Sequence, residues 1–541
     1  MNGSVGRRTF LAGGANLLGG ARALFGQRGS YSDSSFTGGP ITGPFRPYWE
    51  SLKAYKYPDW FRDAKFGMWA HWTPQCVPEQ GDWYARGMYV QGNAQYNYHV
   101  KTYGHPSQFG YKDICNLWHA ENWNPEELIS LYAKTGAKYF VAIGNHHDNF
   151  DCWDSKHQPW NCMNVGPKKD IVGTWAKIAR AHGLKFGVTS HATPGRTWRE
   201  FMPVRYGSDK TGPMQGVPYD GVMTKADGKG KWWDGMDPRQ LNGPPHDKND
   251  PCPDYVESFL LRVQDIIDKY SPDLLYFDDN CDWSYDRGGG GVWLGMPELT
   301  PHIMAYYYNA NIRKNGKLEA VFNIKNVPVS VQSTLVRDFE ASQAGEIQPD
   351  PWQTDICIGD WHYRRSLFEQ HKYRTAETMV QTLVNVVAKN GNLLLNIPLP
   401  GHGRPDDDEF AFIAKFGAWM AMNSEAIYSS RPWKVSGEGP TQNAGTQSYG
   451  AAPKFVPGDI RFTTKGDSLY AIALAWPQDG KLTIKSLATG SPNYNGQIAR
   501  IGLLGSEANL SYTRSADGVT ITLPEKAPCD YAYTFKINPI G

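Results

Sequence analysis

Short apolar runs alternate with segments of helical period through the middle of the chain. The apolar runs predict buried strands at 65–72, 137–146, 184–191, 272–278, 320–324, 335–339 and 392–397. Amphipathic segments between them predict helices at 125–135, 170–182, 254–270, 299–314, 375–389 and 406–422. Strands that alternate with helices in this way indicate a parallel α/β architecture.

Polar side chains at the strand ends favour a closed barrel over an open doubly wound sheet. The first unit has no G-x-G-x-x-G turn, so a dinucleotide site is not supported. Several predicted strands instead end in residues capable of chemistry, namely His71, His146, His147, His191, Asp278 and Glu340. Because (β/α)8 barrels build their active sites at that edge, we predict a distorted (β/α)8-like barrel over residues 45–435.

The pattern changes after Pro432. A segment rich in Gly, Pro, Ser and Thr is followed by short alternating runs with turns between them, which predicts an all-β sandwich at 436–541. Within the barrel region, residues 201–250 are rich in Gly, Pro, Asp and Trp and show no clear period. We expect a long active-site loop there.

The N-terminal segment has the features of a bacterial export signal in the right order. Arg7-Arg8 precedes a weakly apolar, Gly- and Ala-rich stretch and the small-x-small sequence Ala21-Arg22-Ala23. We predict a twin-arginine signal at 1–23, a Ser/Gly-rich linker at 24–44, and a periplasmic or secreted mature protein. The alternative is a disordered tail that happens to contain two arginines.

Composition narrows the class of ligand. The 55 Lys+Arg balance 54 Asp+Glu, and this net charge of +1 argues against a nucleic-acid binder that works through bulk charge. No apolar run is long enough for a transmembrane span. The 20 Trp, 30 Tyr and 22 Phe make up 13% of the chain. Aromatic rings build cores and also stack on sugar faces, so carbohydrate is the first ligand to consider.

Two carboxylates at strand ends are candidates for glycoside hydrolysis. Asp278 closes the apolar run of the fourth predicted strand, where a carboxylate is costly unless it is well paired or part of a site. Glu340 closes another strand, and Glu346 is a rival for the same role. In a retaining glycosidase one carboxylate attacks the anomeric carbon, and the other protonates the leaving oxygen and then activates water. A structural Asp and solvated loop glutamates are the alternatives.

The histidines at the strand ends are more suited to sugar hydroxyls than to a metal ion. Their spacing is not H-E-x-x-H, and no second acidic cluster completes a metal site. The eight cysteines show no C-x-x-C pair; Cys152 and Cys162 either bridge a local loop or stay free and buried. We therefore expect neither a metal nor a cofactor.

A series of segments resembles the α-L-fucosidases of glycoside hydrolase family 29. In order along the chain they are 60–72, 82–88, 137–156, 272–278, 352–354, 383–398 and 416–432. The most specific are HHD…F…WDSK in the third segment and GNLLLNIP and EAIY in the last two. The resemblance implies a retaining exo-α-L-fucosidase with a catalytic barrel and a C-terminal β-sandwich, acting on fucose-containing glycans.

The resemblance also implies roles for individual residues. The nucleophile of the family matches Asp278, and its acid/base lies a dozen or so residues before the W-E/Q-T motif, a distance that favours Glu340 over Glu346. Lys325 stands near the place of an arginine of the family, and Tyr276 replaces its usual tryptophan. Its fucose-binding histidines and aromatic residue match positions in this sequence as well, namely His71, His146, His147 and Trp83.

Several positions depart from the motifs of the family. The usual H-W-G is His71-Trp72-Thr73, and the usual S-W-G-Y is Asp360-Trp361-His362-Tyr363. The strand that usually reads Y-Y-S ends here in His191, which is a candidate for a sugar contact. These departures leave open a related exo-glycosidase for sulfated fucose or α-galactoside-like substrates, or a carbohydrate-binding protein without catalysis. The oligomeric state is left open too.

Overall fold

Eight parallel strands form one sheet that curls into a nearly closed barrel. The structure, a computed structural model, describes residues 41–247, 253–278, 299–325, 328–441 and 453–539. The barrel strands are β1 (Phe66–Ala70), β2 (Tyr139–Asn145), β3 (Lys185–Ser190), β4 (Leu274–Phe277), β5 (Val321–Ile324), β6 (Val336–Arg337), β7 (Trp352–Cys357) and β8 (Gly391–Asn396). The predicted fold class is thus confirmed for the catalytic region.

The strand order is β6-β5-β4-β3-β2-β1-β8-β7, and every neighbouring pair is parallel. The sheet closes between β6 and β7 through an isolated parallel bridge between Asp338 and Gln353. All residues of β1, β2, β4, β5, β7 and β8 are buried. Burial on both faces is typical of parallel strands covered by helices, and it explains why most of them read as apolar runs.

Helices connect the strands, and polar side chains cap several of them. The side chains of Asn124, Asp170, Thr375 and Asp406 each accept a hydrogen bond from a backbone N–H of the first helical turn. The α-helices are α1 (Trp49–Leu52), α2 (Asp59–Ala64), α3 (Tyr84–Gly87), α4 (Ala94–Thr102), α5 (Tyr111–Leu117), α6 (Pro125–Lys134), α7 (Ile171–Ala181), α8 (Arg239–Asn242), α9 (Pro253–Tyr270), α10 (Leu299–Asn315), α11 (Arg365–Glu369), α12 (Ala376–Ala388) and α13 (Asp407–Asn423).

Two strands differ from the prediction. The strand predicted at 335–339 is shortened to β6, because the chain leaves the sheet at the bridge to β7. Strand β7 is not predicted, because Gln353, Thr354 and Asp355 interrupt its apolar pattern although all three are buried. Helices α3 to α5 are not predicted either.

The segment predicted as a long loop contains short helical turns rather than irregular chain. A π-helix at Pro194–Phe201 leads into it. Single turns of 3-10 helix occur there and elsewhere, at Pro74–Cys76, Pro203–Tyr206, Asp220–Val222, Lys225–Gly228, Val329–Thr334, Ser424–Ala426 and Lys485–Leu487. Arg205, in this segment, is fully buried and donates to the carbonyl oxygens of Asp148 and Leu241.

The C-terminal region is a sandwich of two antiparallel sheets. The larger has the order β13-β16-β11-β10-β9 and the smaller β12-β15-β14. The strands are β9 (Arg431–Glu438), β10 (Ile460–Lys465), β11 (Ser468–Ala473), β12 (Lys481–Ile484), β13 (Ile498–Leu503), β14 (Tyr512–Ser515), β15 (Gly518–Thr522) and β16 (Tyr533–Pro539). The first of these begins at Arg431, ahead of the boundary predicted at 436.

Strand β11 shows how the sandwich packs on the barrel. Leu469 and Ala471 lie in the core between the two sheets, whereas Tyr470 and Ile472 belong to the core cluster of the barrel. This alternation is the period of two that a strand covered on both faces must show. The Trp419 indole, on α13, donates to the carbonyl oxygen of Ala532 across the same boundary at 2.8 Å.

The described chain begins inside the segment predicted as a linker. Ile41 is buried, and the amide of Asn309 donates to the carbonyl oxygen of Phe45 at 2.8 Å, so residues from 41 onward pack on α10. The predicted signal at 1–23 and the linker up to residue 40 lie outside the described residues. None of the helices that the structure describes has the length and apolar character needed to cross a membrane.

Candidate active site

The Asp278 carboxylate lies at the C-terminal end of β4, among three basic side chains. Its Oδ1 atom is 2.5 Å from Nζ of Lys325, which follows β5. Its Oδ2 atom is 3.3 Å from Nε2 of His147, after β2, and 3.8 Å from Nδ1 of His191, after β3. Four successive strands therefore bring their carboxyl ends together around one carboxylate, as expected for a barrel active site.

The charges around Asp278 keep it ionised. Burial opposes the charge, but the Lys325 ammonium, with His147 beside the other oxygen, outweighs burial and holds the pKa of the Asp278 carboxyl well below its usual range. Burial likewise opposes the charge on Lys325. The negative charges of Asp278, Asp355 and Glu340 reverse this effect and raise the pKa of Lys325 well above its usual value. The site thus holds a stable pair of ions.

Lys325 also joins the two candidate carboxylates. Its Nζ lies 3.0 Å from Oε2 of Glu340, whose side chain is 35% exposed. Glu346 is exposed, and its backbone carbonyl oxygen accepts a hydrogen bond from the Gln348 side chain at 3.0 Å. The structure therefore brings Glu340, and not Glu346, to Asp278. Asp279, the neighbour of Asp278, lies outside the described residues.

Beneath this pair lies a layer of buried polar side chains that the sequence does not predict. Asp355, on β7, accepts a hydrogen bond from the Tyr276 hydroxyl at 3.1 Å and lies 3.6 Å from Lys325 Nζ. Gln353 donates to Asp338 at 2.8 Å across the seam of the barrel. Burial and the charge of Asp355 raise the pKa of Asp338 well above its usual value. This layer contacts Lys325 through the Asp355 carboxylate.

Five histidines form one side of the site. The ring centroid of His71 lies 5.0 Å from those of His146 and His191 and 4.7 Å from that of His362, and the centroids of His146 and His147 are 4.4 Å apart. The sequence predicts four of them. His362 comes from the loop after β7, and only the fold brings it to the others.

Hydrogen bonds fix the protons of two of these rings. The Gln75 amide oxygen accepts from the N–H of Ala85 at 3.1 Å, so its amide nitrogen donates to Nδ1 of His146 at 2.8 Å. Neutral His146 therefore carries its proton on Nε2, which faces the site. His147 donates from Nδ1 to the carbonyl oxygen of His191 at 2.6 Å. Each ring is thus held in one orientation.

Three of the histidines are neutral. Burial, reinforced by neighbouring histidines, lowers the pKa of His71 and of His146 well below its usual value. Burial also lowers the pKa of His191, against the opposing charge of Asp278. Neutral imidazoles can both donate to and accept from hydroxyl groups, which suits a polyhydroxylated ligand.

A divalent cation fits the same side chains less well. The ligand atoms of His71, Asp82, His146 and His362 all lie within 4.8 Å of one another. However, the proton that His146 carries on Nε2 occupies the nitrogen that would face the cation. Moving this proton to Nδ1 would set it against the N–H of the Gln75 amide, which also donates. The donor set therefore favours sugar hydroxyls over a metal ion.

Aromatic rings complete the wall of the site. Trp83 has a left-handed backbone, with φ of 63°, which directs its side chain toward His147 at a centroid distance of 6.1 Å. Phe201, at the end of the π-helix, lies 5.1 Å from the Trp83 ring and 5.2 Å from His147. Tyr276 is fully buried, with Lys325 Nζ 5.6 Å from its ring centroid. Its ring is therefore part of the support of the site rather than of its exposed wall.

Comparison with known proteins identifies the family. The family model described as "Alpha-L-fucosidase" matches residues 39–425, and the model described as "Alpha-L-fucosidase C-terminal domain" matches residues 454–538. The chain belongs to the α-L-fucosidase family, glycoside hydrolase family 29. It is therefore a glycoside hydrolase, and the resemblance seen in its sequence is confirmed.

Relatives in this family match over nearly the whole chain. The tissue α-L-fucosidase of Homo sapiens is 26% identical over 510 residues, which cover 92% of each chain. The α-L-fucosidase of Dictyostelium discoideum is 24% identical over 519 residues, or 92% of this chain and 95% of that one. The Thermotoga maritima α-fucosidase in complex with fucose superposes with a TM-score of 0.67 and 27% identity, covering 91% of this chain and all of that one. These matches do not favour an enzyme for α-galactosides.

Four residues at the site of this α-L-fucosidase family member are missed by sequence reasoning. Asp82 and Phe201 lie in segments that are singled out for other reasons, a family motif and a long loop. Asp355 lies in a strand that is not predicted, because its sequence is polar. His362 is visible in the sequence as a departure from the S-W-G-Y motif, and this departure is the one available signal. The thiols of Cys152 and Cys162 are free and buried, so the local bridge considered for them is not formed.

Proposed function

We propose that the protein is an exo-acting, retaining α-L-fucosidase that releases terminal α-L-fucose from oligo- or polysaccharides. One observation carries the proposal. Asp278 Oδ1 and Glu340 Oε2 contact the same nitrogen of Lys325, at 2.5 and 3.0 Å. The two oxygens are thus at most about 5.5 Å apart, a spacing typical of retaining rather than inverting glycosidases.

The reaction runs as a double displacement. An Asp278 oxygen attacks the anomeric carbon and forms a covalent fucosyl-enzyme, while Glu340 gives a proton to the departing glycosidic oxygen. Glu340 then takes a proton from water, which attacks the same carbon and restores the free carboxylate of Asp278. The low pKa of Asp278 keeps the nucleophile ionised. Glu340, at 35% exposure, is accessible to both the leaving group and the incoming water.

The remaining residues hold the sugar. Neutral His71 and His146, with His147 and His191, present ring nitrogens to the hydroxyl groups. The ring of Trp83 offers an apolar face for the C6 methyl group, because a deoxy sugar gains from contact with an aromatic surface. Lys325 balances the charge of Asp278, and also that of Glu340 once Glu340 has given up its proton. Every step uses the side chains of the protein alone.

The test is hydrolysis of 4-nitrophenyl α-L-fucoside by the wild type and by Asp278→Gly, with and without azide. We expect the variant to lose nearly all activity and azide to restore turnover, with β-fucosyl azide as product. Glu346→Gln serves as the matched control and keeps the activity of the wild type. An active Asp278→Gly variant, or rescue that yields the α-azide, would contradict the retaining mechanism.

Export remains a proposal that rests on residues 1–23. Intact-mass analysis of the protein purified from the periplasm and the cytoplasm of a producing bacterium tests it. We expect the periplasmic form to begin near Leu24 and an Arg7→Lys, Arg8→Lys double variant to stay unprocessed in the cytoplasm. Unchanged processing of the double variant would contradict a twin-arginine signal.

A further inference from the structure

The side chains of Asp82, His362 and Thr73 form a linear chain of hydrogen bonds beside the other four histidines of the site. Nδ1 of His362 lies 2.6 Å from Oδ1 of Asp82, and Nε2 of the same ring lies 2.9 Å from Oγ1 of Thr73. Thr73 and His362 are fully buried, whereas the Asp82 side chain keeps 18% exposure. The chain therefore runs from the interior to the surface of the pocket and ends on a carboxylate.

The direction of the hydrogen bond to Asp82 can be assigned. Nδ1 of His362 faces a carboxylate oxygen of Asp82, which can only accept, so Nδ1 carries a proton and donates it to Asp82. Thr73 Oγ1, which accepts a hydrogen bond from the N–H of Gln75 at 3.2 Å, bonds to the other ring nitrogen, Nε2. Both ring nitrogens are thus held, so the ring has one orientation and fixes one oxygen of Asp82.

The hydrogen-bond chain ends at Asp82, a carboxylate that a ligand can reach. Its Oδ1 atom faces His362 and lies 3.8 Å from Nε2 of His146, the nitrogen that carries the proton. Its other oxygen, Oδ2, is left for a ligand. Asp82 also directly precedes Trp83, whose ring lines the site. A donor of the ligand that reaches the pocket between Trp83 and His146 would meet this carboxylate.

The two inner members of the chain stand at the two positions where a glycine of the H-W-G and S-W-G-Y motifs is replaced; the third departure, Asp360, replaces the serine. Glycine at either position would have no side chain to offer. Here the hydroxyl of Thr73 and the ring of His362 replace those glycines and bond to each other. These two departures therefore act as a pair.

We propose that His362, itself held by Thr73, is a positioning residue that orients the Asp82 carboxylate to accept a hydrogen bond from one hydroxyl group of the sugar. The inference rests on the proposed function and deepens it, because it assigns the orientation of this carboxylate to the Thr73–His362 pair, two side chains that do not touch the reacting atoms. Removing the support of His362 weakens binding of that hydroxyl and leaves Asp278 and Glu340 in place.

Two variants separate positioning from packing. In His362→Asn the side-chain amide nitrogen can take the place of Nδ1 and keep the bond to Asp82. In His362→Gln it takes the place of Nε2 and loses that bond. Both leave a similar cavity, so a purely structural role would affect both alike. Thr73→Val and Thr73→Ser form a second pair, in which only serine keeps the hydroxyl.

The readout is kcat/KM on 4-nitrophenyl α-L-fucoside and on its analogues deoxygenated at C2, C3 or C4, with melting temperatures as a check on folding. We expect His362→Gln to lower kcat/KM on the parent substrate on the order of tenfold or more, and His362→Asn to retain most of it. On one of the deoxy analogues the loss caused by His362→Gln disappears, because the hydroxyl it serves is absent.

Equal losses on all four substrates, or equal losses in His362→Asn and His362→Gln, would overturn the inference while the proposed function stands. A wild type inactive on every one of these fucosides would overturn the proposed function and the inference with it. Asp278→Gly with azide is assayed in parallel, and it shows whether the proposed function or only the inference has failed.

Discussion

Lys325 Nζ lies 2.5 Å from Oδ1 of Asp278, across the adjacent ends of β5 and β4. The contact explains how a buried carboxylate remains ionised at the end of an apolar strand. Without the cation, burial would favour the protonated acid, which cannot attack a carbon atom. Lys325 therefore acts on the proposed nucleophile through its charge.

Replacing Lys325 with Gln is expected to shift the acidic limb of the pH profile of kcat/KM upward. The pKa of Asp278 is lowered in the wild type, and loss of the cation leaves burial as the dominant effect, so the pKa rises. The shift should be about 1 to 3 pH units, the usual effect of one nearby opposite charge. Lys325→Arg keeps the charge and should keep the limb near its wild-type position. An unchanged limb in Lys325→Gln would show that another group controls it.

Replacing Glu340 with Gln should damage hydrolysis according to the leaving group. A 2,4-dinitrophenyl fucoside needs little help from an acid, whereas a fucosyl oligosaccharide needs full protonation of its leaving oxygen. We expect a loss of about 10²-fold or more on the oligosaccharide and a smaller loss in the fucosylation step for the activated substrate. Glu346→Gln is the matched control and should affect neither substrate. The reverse pattern between the two variants would move the acid/base role to Glu346.

Acidification should destabilise the protein through its neutral histidines. The folded-state pKa values of His71, His146 and His191 lie below the unfolded value of about 6.5, so the unfolded chain binds more protons below that pH. The free energy of unfolding therefore falls as pH drops from about 6.5 toward the folded pKa values. Each histidine contributes up to about 1.4 kcal/mol per pH unit.

Urea unfolding at pH 7.5, 6.5 and 5.5 measures this slope. His191→Gln removes one of the three groups and should flatten the dependence below pH 6.5. His371→Gln, which alters an exposed ring, should leave the slope as it is. If His191→Gln keeps the full slope, that ring is not neutral in the folded protein.

The barrel strands show how far the sequence predicts the fold. β2 and β8 are predicted because helices cover their outer faces and most of their positions carry apolar residues. The sequence does not predict β7, because Gln353 and Asp355 face a polar part of the barrel interior. Thr354, on the other face of the strand, is also buried and donates to the carbonyl oxygens of Phe339 and Ser342. Hydrophobic periodicity reveals strands that are buried among apolar side chains, and it misses strands that are buried among polar ones.

The sequence likewise predicts only part of the site. Asp278 and the histidines of β1 to β3 follow recognisable strands, and the register of those strands brings them together. Asp82 and His362 lie on separate loops, 280 residues apart, and meet only because β1 and β7 flank β8 in the barrel. Contacts between distant loops leave no periodic trace in a single sequence.

The seam between β6 and β7 has a consequence for how such enzymes vary. An isolated bridge, Asp338 to Gln353, closes the barrel there. The connecting segment carries Glu340 and Glu346 and is held by few ladder hydrogen bonds. Residues can be gained or lost in it without disrupting a strand pair, so the position of the proposed proton donor in the sequence can vary among such enzymes. Asp278 directly follows β4, which is hydrogen-bonded to a strand on each side, so its position in the sequence cannot vary in this way.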